Sequence, residues 1–282
     1  MGSGGVIGMD DTVHHGGDGT VPEGGYGPVP EGGDGPVPDP GRAGTGSPPI
    51  PGAGPPGGRS LGWIELIAAV VLYVALTAVG GLGLALVLGL QGMLRAAVPL
   101  LVVTGTCTLL TALIALALRV RWPGAVGLRR SALRWLVIAV VGALVLRGLA
   151  FGVGVLWTEL FGEPSNPQAF LGEALSGTDP LTIAGVMLAG ALLVPFAEEL
   201  LFRGIGYGAL RQYGGRYAVV LATVVSAAVF ALAHGLNVVM PIAFLLGVTC
   251  ALLYERSRSI WPGVVAHVVF NASGFVLATL LL

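Results

Sequence analysis

From Trp63 onward the chain alternates between long apolar runs and short polar connections. Seven stretches of Leu, Val, Ala and Gly fall at about 64–90, 96–118, 134–157, 181–202, 217–234, 238–254 and 260–281. Most reach the roughly 20 residues that a spanning helix requires, and the fifth and sixth sit at the short end of the range. None alternates with period 2, so the runs predict helices and not the strands of a barrel. The expected fold is all-α: a polytopic transmembrane bundle of about seven helices over 61–282. Residues 1–60 contrast with it. They are rich in Gly, Pro and acid, and Val-Pro-Glu-Gly-Gly occurs at 21–25 and again at 29–33. Such a segment has little to bury and is expected to stay extended and disordered. It lacks the basic-then-apolar pattern of a signal peptide. Removing residues 1–58 is expected to leave insertion and activity intact.

Composition strengthens the membrane assignment. The chain is 54% hydrophobic and only 10% charged, against roughly a quarter charged in soluble proteins. Seven of the fifteen acids lie in the N-terminal tail, which leaves the rest too poor in charge for a water-facing surface. The lipid bilayer is therefore its main solvent, and a multi-pass protein of the cell membrane is expected. The net charge of −1 points to no nucleic-acid partner. Cys107 and Cys250 lie in apolar runs with no metal or redox spacing. Arginines orient the helices. Arg119, Arg121, Arg129, Arg130 and Arg134 crowd the second connection, Arg211 and Arg216 the fourth, and Arg256 and Arg258 the sixth. The third holds Glu159, Glu163, Glu173 and Asp179 without a basic residue. By the positive-inside rule the even-numbered connections and the N-terminal tail are cytoplasmic, with Arg95 alone against the pattern.

Few strongly polar side chains remain at membrane depth: Arg147, Glu198, Glu199, Arg203, His234, His267 and Asn271. An ionisable side chain there costs on the order of 2.5–3.5 kcal/mol, so these residues are functional suspects. Six of them form three patterns. In Glu198-Glu199-x3-Arg203, adjacent carboxylates point about 100° apart on a helix. Glu199 pairs with Arg203 at i,i+4, and Glu198 is left without a local partner, the setting a general base needs. In Phe230-x3-His234, the same spacing puts an aromatic ring beneath an imidazole. His267-x3-Asn271 places an imidazole and an amide on one face of the last helix. Read singly, these are also compatible with a structural ion pair, packed histidines and interhelical amide glue. Their clustering in the C-terminal part of the chain, between Glu198 and Asn271, favours a site.

The three patterns, in this order on successive helices, resemble the CPBP family of intramembrane proteases. That family includes type II CAAX prenyl endopeptidases and Abi or bacteriocin-immunity-like proteins. Phe244-Leu-Leu-Gly247 through Ser259-Ile-Trp261 shares the look, and the resemblance covers about 181–275. It implies an intramembrane endopeptidase acting on a peptide or membrane-protein substrate. Glu198 with His234 would activate water, and His267 and Asn271 would donate to the oxyanion. Glu199 and Arg203 would hold the first motif, with Phe230 supporting His234. Zinc on Glu198, His234 and His267 is the alternative. A metal-free mechanism is favoured because no acid is placed in the sequence to back either histidine. Two other functions stay open: a transporter with a Glu/His proton relay, and a non-catalytic immunity or scaffold protein.

Two points are unresolved in the sequence. With the fourth helix ending near 202, Glu198 lies towards the cytoplasmic end, while His234 is roughly 24 Å across. Arg147, in mid-helix, should either pair with a glutamate or line a water-filled cavity.

Overall fold

A computed structural model describes residues 1, 50–54, 59–95, 97–119, 123–162 and 179–280. Most of the expected tail and the acidic stretch 163–178 lie outside these residues. The described chain is helical, with no strand. Seven long helices follow one another: α1 (Trp63–Arg95), α2 (Ala97–Arg119), α3 (Leu133–Phe161), α4 (Pro180–Leu210), α5 (Ala218–Ala233), α6 (Val239–Ser257) and α7 (Trp261–Leu280). The first six are long and apolar enough to cross a membrane, and Trp261–Leu277 forms a shorter apolar helix. α1 packs on α2, α5 on α6, and α7 on both α3 and α6. None of α1's most apolar window is buried, whereas half of α6's is, so α1 is peripheral and α6 central. Val70, Val71, Val74, Leu82, Leu86 and Val87 all point outward from α1. An apolar outer face of this extent requires lipid as solvent.

Small residues set the closest approaches. At Gly247 on α6, an added Cβ would lie 2.9 Å from Ala227 Cα on α5. The pair therefore packs backbone to backbone, as small residues permit in membrane bundles.

α4 departs most from expectation. It begins at an N-cap, Asp179, whose Oδ1 accepts from Leu181 N at 2.9 Å and Thr182 N at 3.1 Å. Its Oδ2 accepts from the Thr182 hydroxyl at 2.7 Å. The hydroxyl bond is the main cause, with these amides, of a carboxyl held below its usual range. The helix then runs on to Leu210, well past the expected end at 202. Arg203 interrupts the apolar run, but it is only 1% exposed, so the helix continues through it as core. Two stretches widen into π-helix, Ala189–Leu193 and Glu199–Tyr207. The first ends two residues before Pro195, whose ring and missing N–H do not fit a regular α-helix.

This length removes the depth problem. At about 1.5 Å per residue, Glu198 stands roughly 18 Å before the end of α4 at Leu210. On the same scale His234 stands roughly 24 Å beyond the start of α5 at Ala218. Both distances are measured from the connection between the two helices, and side chains can span the difference. α5 stops at His234, because Gly235 adopts φ +85° and turns the chain back. α7 starts recessed, with Ser259 and Ile260 fully buried and Ile260 N donating to Gly127 O at 3.1 Å.

Residues 50–54, expected within the loose tail, are docked on the helical unit. Gly52 N donates to Ala125 O at 3.0 Å, and Leu61 N to Gly52 O at 2.8 Å. Gln212 Nε2 donates to Pro51 O at 2.6 Å. Gly52 has φ +80°, and an added Cβ would lie 2.0 Å from Gly208 O. Deleting residues 2–46 should therefore leave membrane insertion and the thermal midpoint unchanged. Gly52→Ala should lower stability by about 1–3 kcal/mol through strain and displacement of this strap. Thermal unfolding in detergent compares the two; a Gly52→Ala midpoint equal to wild type would show that the strap contributes nothing.

Candidate active site

The widened second half of α4 carries both glutamates inward. Glu199 and Arg203 are 0% and 1% exposed, and Glu199 Oε1 lies 2.8 Å from Arg203 Nη1. The expected i,i+4 ion pair is thus present. The guanidinium also stacks on Phe230, with Cζ 4.4 Å from the ring centroid. An Arg charge out of water is compensated on one side by a carboxylate and on another by an aromatic face.

His267 from α7 sits between the two acids. Its Nδ1 is 3.2 Å from Glu199 Oε1, and its Nε2 is 3.6 Å from Glu198 Oε2. The adjacent carboxylates do diverge, as helix geometry requires, and the imidazole lies in the gap, one nitrogen towards each. A carboxylate therefore backs His267, contrary to the expectation that neither histidine has one. The close approach depends on Gly263: a Cβ there would lie 2.7 Å from Glu199 Oε2. Two acids against one guanidinium leave a single negative charge.

His234 occupies the opposite wall. Its Nδ1 is 2.8 Å from Phe230 O. A carbonyl only accepts, so Nδ1 is the donor and Nε2 is the ring nitrogen left for another partner. Asn237 Nδ2 donates to His234 O at 2.9 Å, and Asn237 Oδ1 accepts from Val239 N at 2.8 Å, fixing the turn from α5 to α6. Phe230 bridges the imidazoles, 4.6 Å from His234 and edge-on to His267 at 5.6 Å. It is a hub of the site, a larger role than the rotamer support its spacing suggested.

Asn271 has a backbone role that the sequence did not reveal. In the first π-stretch Val194 N donates to Ala189 O, five residues back. In that register the donor to Gly190 O would be Pro195, which has no N–H. Asn271 Nδ2 supplies the bond instead, at 3.0 Å. Proline thus opens a carbonyl on α4, and α7 closes it.

Glu198, His234, His267 and Asn271 all line one cavity of about 360 Å³. Arg147 from α3 lines it too, together with Tyr73 from α1, which sequence reasoning missed. Tyr73 lies in a long apolar run with no ionisable residue at helical spacing to flag it. Arg147 pairs with neither glutamate; its partners are Ser273 and Phe270. Among the described residues no group of three or more His, Cys, Asp or Glu side chains is placed to hold a metal ion. Beyond the cavity, Glu255 accepts from the Tyr207 hydroxyl at 2.9 Å and from Arg211 Nε at 3.2 Å. It also pairs with Arg258 at 3.1 Å. This second cluster ties the end of α4 to α6.

Residues 180–273 match the family model described as type II CAAX prenyl endopeptidase Rce1-like. The match runs from the first residue of α4 to just past Asn271. The protein named "Putative membrane peptidase YdiL" in Bacillus subtilis (strain 168) is 27% identical over 137 residues. The alignment covers 49% of this chain and 52% of that protein, so the chain spans about half the length of the curated relative it matches. No solved structure matches significantly.

The Pro195–Gly190–Asn271 arrangement predicts a specific coupling. Asn271→Ala should destabilise the protein by about 1–3 kcal/mol, the cost of an unpaired buried carbonyl. In a Pro195→Ala background, where an N–H is restored, that loss should shrink by about 1 kcal/mol. Equal losses in both backgrounds, from denaturation in detergent, would remove Pro195 from the account.

Proposed function

We propose that this chain is an intramembrane endopeptidase, on the match of residues 180–273 to the type II CAAX prenyl endopeptidase Rce1-like family model and the resemblance of its motifs to the CPBP family. It hydrolyses a peptide bond of a membrane-associated protein or peptide, using water activated within the helical bundle. The observation that carries this reading is the placement of Glu198, His234 and His267 around one cavity reached from three helices. Peptide hydrolysis needs a base, a water and preorganised donors in a partly dry site. Glu198 is the base, with His234 Nε2 holding the water from the opposite wall. His267 donates to the developing oxyanion, and the proton that Glu198 takes from the water passes to the leaving amine. The remaining N–H of Asn271 is the second oxyanion donor. Glu199 and Arg203 position His267 and do not touch the substrate. No Ser or Cys nucleophile is required, and the water is activated without a metal. The protein resides in the cell membrane, with its N-terminal tail and even-numbered connections cytoplasmic, as the arginine distribution favours.

The two glutamates should separate on mutation. Glu198→Gln conserves shape and should leave the protein inserted and folded, yet lower turnover roughly 10²–10⁴-fold, the contribution of a general base. Glu199→Gln leaves Arg203 buried without its counter-charge and should destabilise by about 3–5 kcal/mol, with residual activity in the surviving protein. The measurement compares membrane proteomes of cells carrying wild type or each variant, seeking fragments that vanish with Glu198→Gln. Fragments unchanged in Glu198→Gln would overturn the base assignment.

Chelation gives an independent arm. Activity should persist in EDTA. A loss restored by added zinc would move Glu198, His234 and His267 into metal ligation.

A further inference from the structure

Arginine gathers where α4 and α6 end. Glu255, near the end of α6, accepts from Arg211 Nε at 3.2 Å and from Arg211 Nη2 at 3.3 Å, and it pairs with Arg258 Nη1 at 3.1 Å. Arg129, ahead of α3, is held at the same place by its backbone, since the Ser259 hydroxyl donates to Arg129 O at 2.7 Å. The charges of Arg129, Glu255 and Arg258 all bear on the buried Tyr254 hydroxyl. Among the described residues no carboxylate pairs with Arg129. Three guanidiniums thus share one carboxylate, which leaves two positive charges in excess. Arg129 Nε and Arg258 Nη1 are also buried with no acceptor aligned for a hydrogen bond, although the second touches Glu255. A buried N–H without an acceptor costs free energy, and tying α4 to α6 requires no such excess. Arg258 further holds φ +59°, the left-handed region that glycine adopts freely, so its guanidinium is placed there against backbone preference.

We propose that Arg129, Arg211 and Arg258 form a phosphate-binding site, occupied by the headgroup of an anionic phospholipid. A phosphate presents several acceptor oxygens and a negative charge, which match the two unpaired N–H groups and the excess of positive charge. The side chains of Arg211 and Arg258 are 18% and 23% exposed, whereas that of Glu255 is 8% exposed, so the guanidiniums are open to an outside ligand and the carboxylate is shielded from it. The position in the bilayer favours a lipid as the source. Successive spans alternate in direction, so the ends of α4 and α6 share a side with the starts of α1, α3, α5 and α7. Trp63 and Tyr213 stack there at 4.9 Å, and Trp135, Tyr217 and Trp261 stand at other helix ends on that side, the girdle that aromatic residues form at headgroup level. Basic pockets between helix ends at this level suit anionic headgroups. Glu255 also accepts from Tyr207 at 2.9 Å, at the close of the π-stretch that begins at Glu199. Occupancy therefore steadies the end of α4 and adds to the stability of the folded bundle. The site stands independently of the peptidase reading.

The test follows thermal unfolding of the full-length protein in dodecyl maltoside, a detergent without phosphate, at constant ionic strength. The added probe is dioleoyl-phosphatidylglycerol, dioleoyl-phosphatidylcholine or sodium phosphate. For wild type the midpoint should rise with phosphatidylglycerol and saturate, at a half-saturating amount about tenfold below that of phosphatidylcholine. A matching rise with sodium phosphate keeps the site but assigns it to free phosphate, which overturns the lipid. In Arg129→Gln the half-saturating amount should increase about fivefold or more, roughly what one arginine contributes at an anionic surface. Arg129 has no ion pair to lose, so this variant keeps the fold, and Arg258→Gln gives a second reading of the same increase. Arg130→Gln and Arg256→Gln are the controls: both arginines are exposed, carry the same charge and lie one or two residues from the site. They should change the half-saturating amount by less than about twofold. A wild-type midpoint that responds alike to the two lipids, and not to phosphate, overturns the site. So does an equal increase in Arg129→Gln and the controls, which would reduce the effect to diffuse surface charge.

Discussion

A carboxylate and a guanidinium removed from water destabilise the fold unless each satisfies the other, and the Glu199–Arg203 pair is the point from which the rest of the core is arranged. Once that pair is fixed on α4, the second oxygen-bearing group, Glu198, must leave in another direction. The imidazole of His267 enters the space between them. Phe230 then receives the Arg203 face on one side and both histidines on others. The electrostatics and the packing are thus one construction. A change at Glu199 reaches His234 through Arg203 and Phe230, although Glu199 and His234 share no direct contact among the described residues.

Bringing α7 this close requires backbone adjustments on both helices. Gly263 lets Glu199 approach, and Gly274 lets the Arg147 guanidinium lie against the helix. On α4, Pro195 accompanies a widened turn, and the carbonyl left over at Gly190 becomes the attachment point for Asn271. π-Stretches recur at functional sites because they redirect side chains without ending the helix. Here they flank the short segment that carries Pro195 and Glu198. The Asn271 amide therefore couples the position of the site to the register of the helix that bears the glutamates.

Much of this was legible in the chain. Apolar runs located all seven helices, and the ion pair at Glu199 and Arg203 followed from spacing alone. Of the three motifs, Glu198, Phe230, His234, His267 and Asn271 line the cavity, whereas Glu199 and Arg203 lie behind it in the core. What spacing could not convey was the contacts across helices: His267 backed by Glu199, the Gly190–Asn271 bond, and Tyr73 on the wall. The end of α4 was misplaced because a hydropathy window treats Arg203 as a boundary, whereas a compensated arginine can lie in the core. That one error created the apparent mismatch in depth between Glu198 and His234. The strap at 50–54 was hidden by its composition, since Pro and Gly are as common in docked turns as in loose chain.

The base role of Glu198 requires that a water attack the peptide carbonyl directly. Its most direct test is a single turnover in ¹⁸O-enriched water with a substrate recovered from the membrane proteome. The expected result is ¹⁸O in the new C-terminal carboxylate of the product and none in the Glu198 side chain. Label in Glu198, or a peptidyl adduct on it, would mean that the carboxylate itself attacks, and would contradict the account.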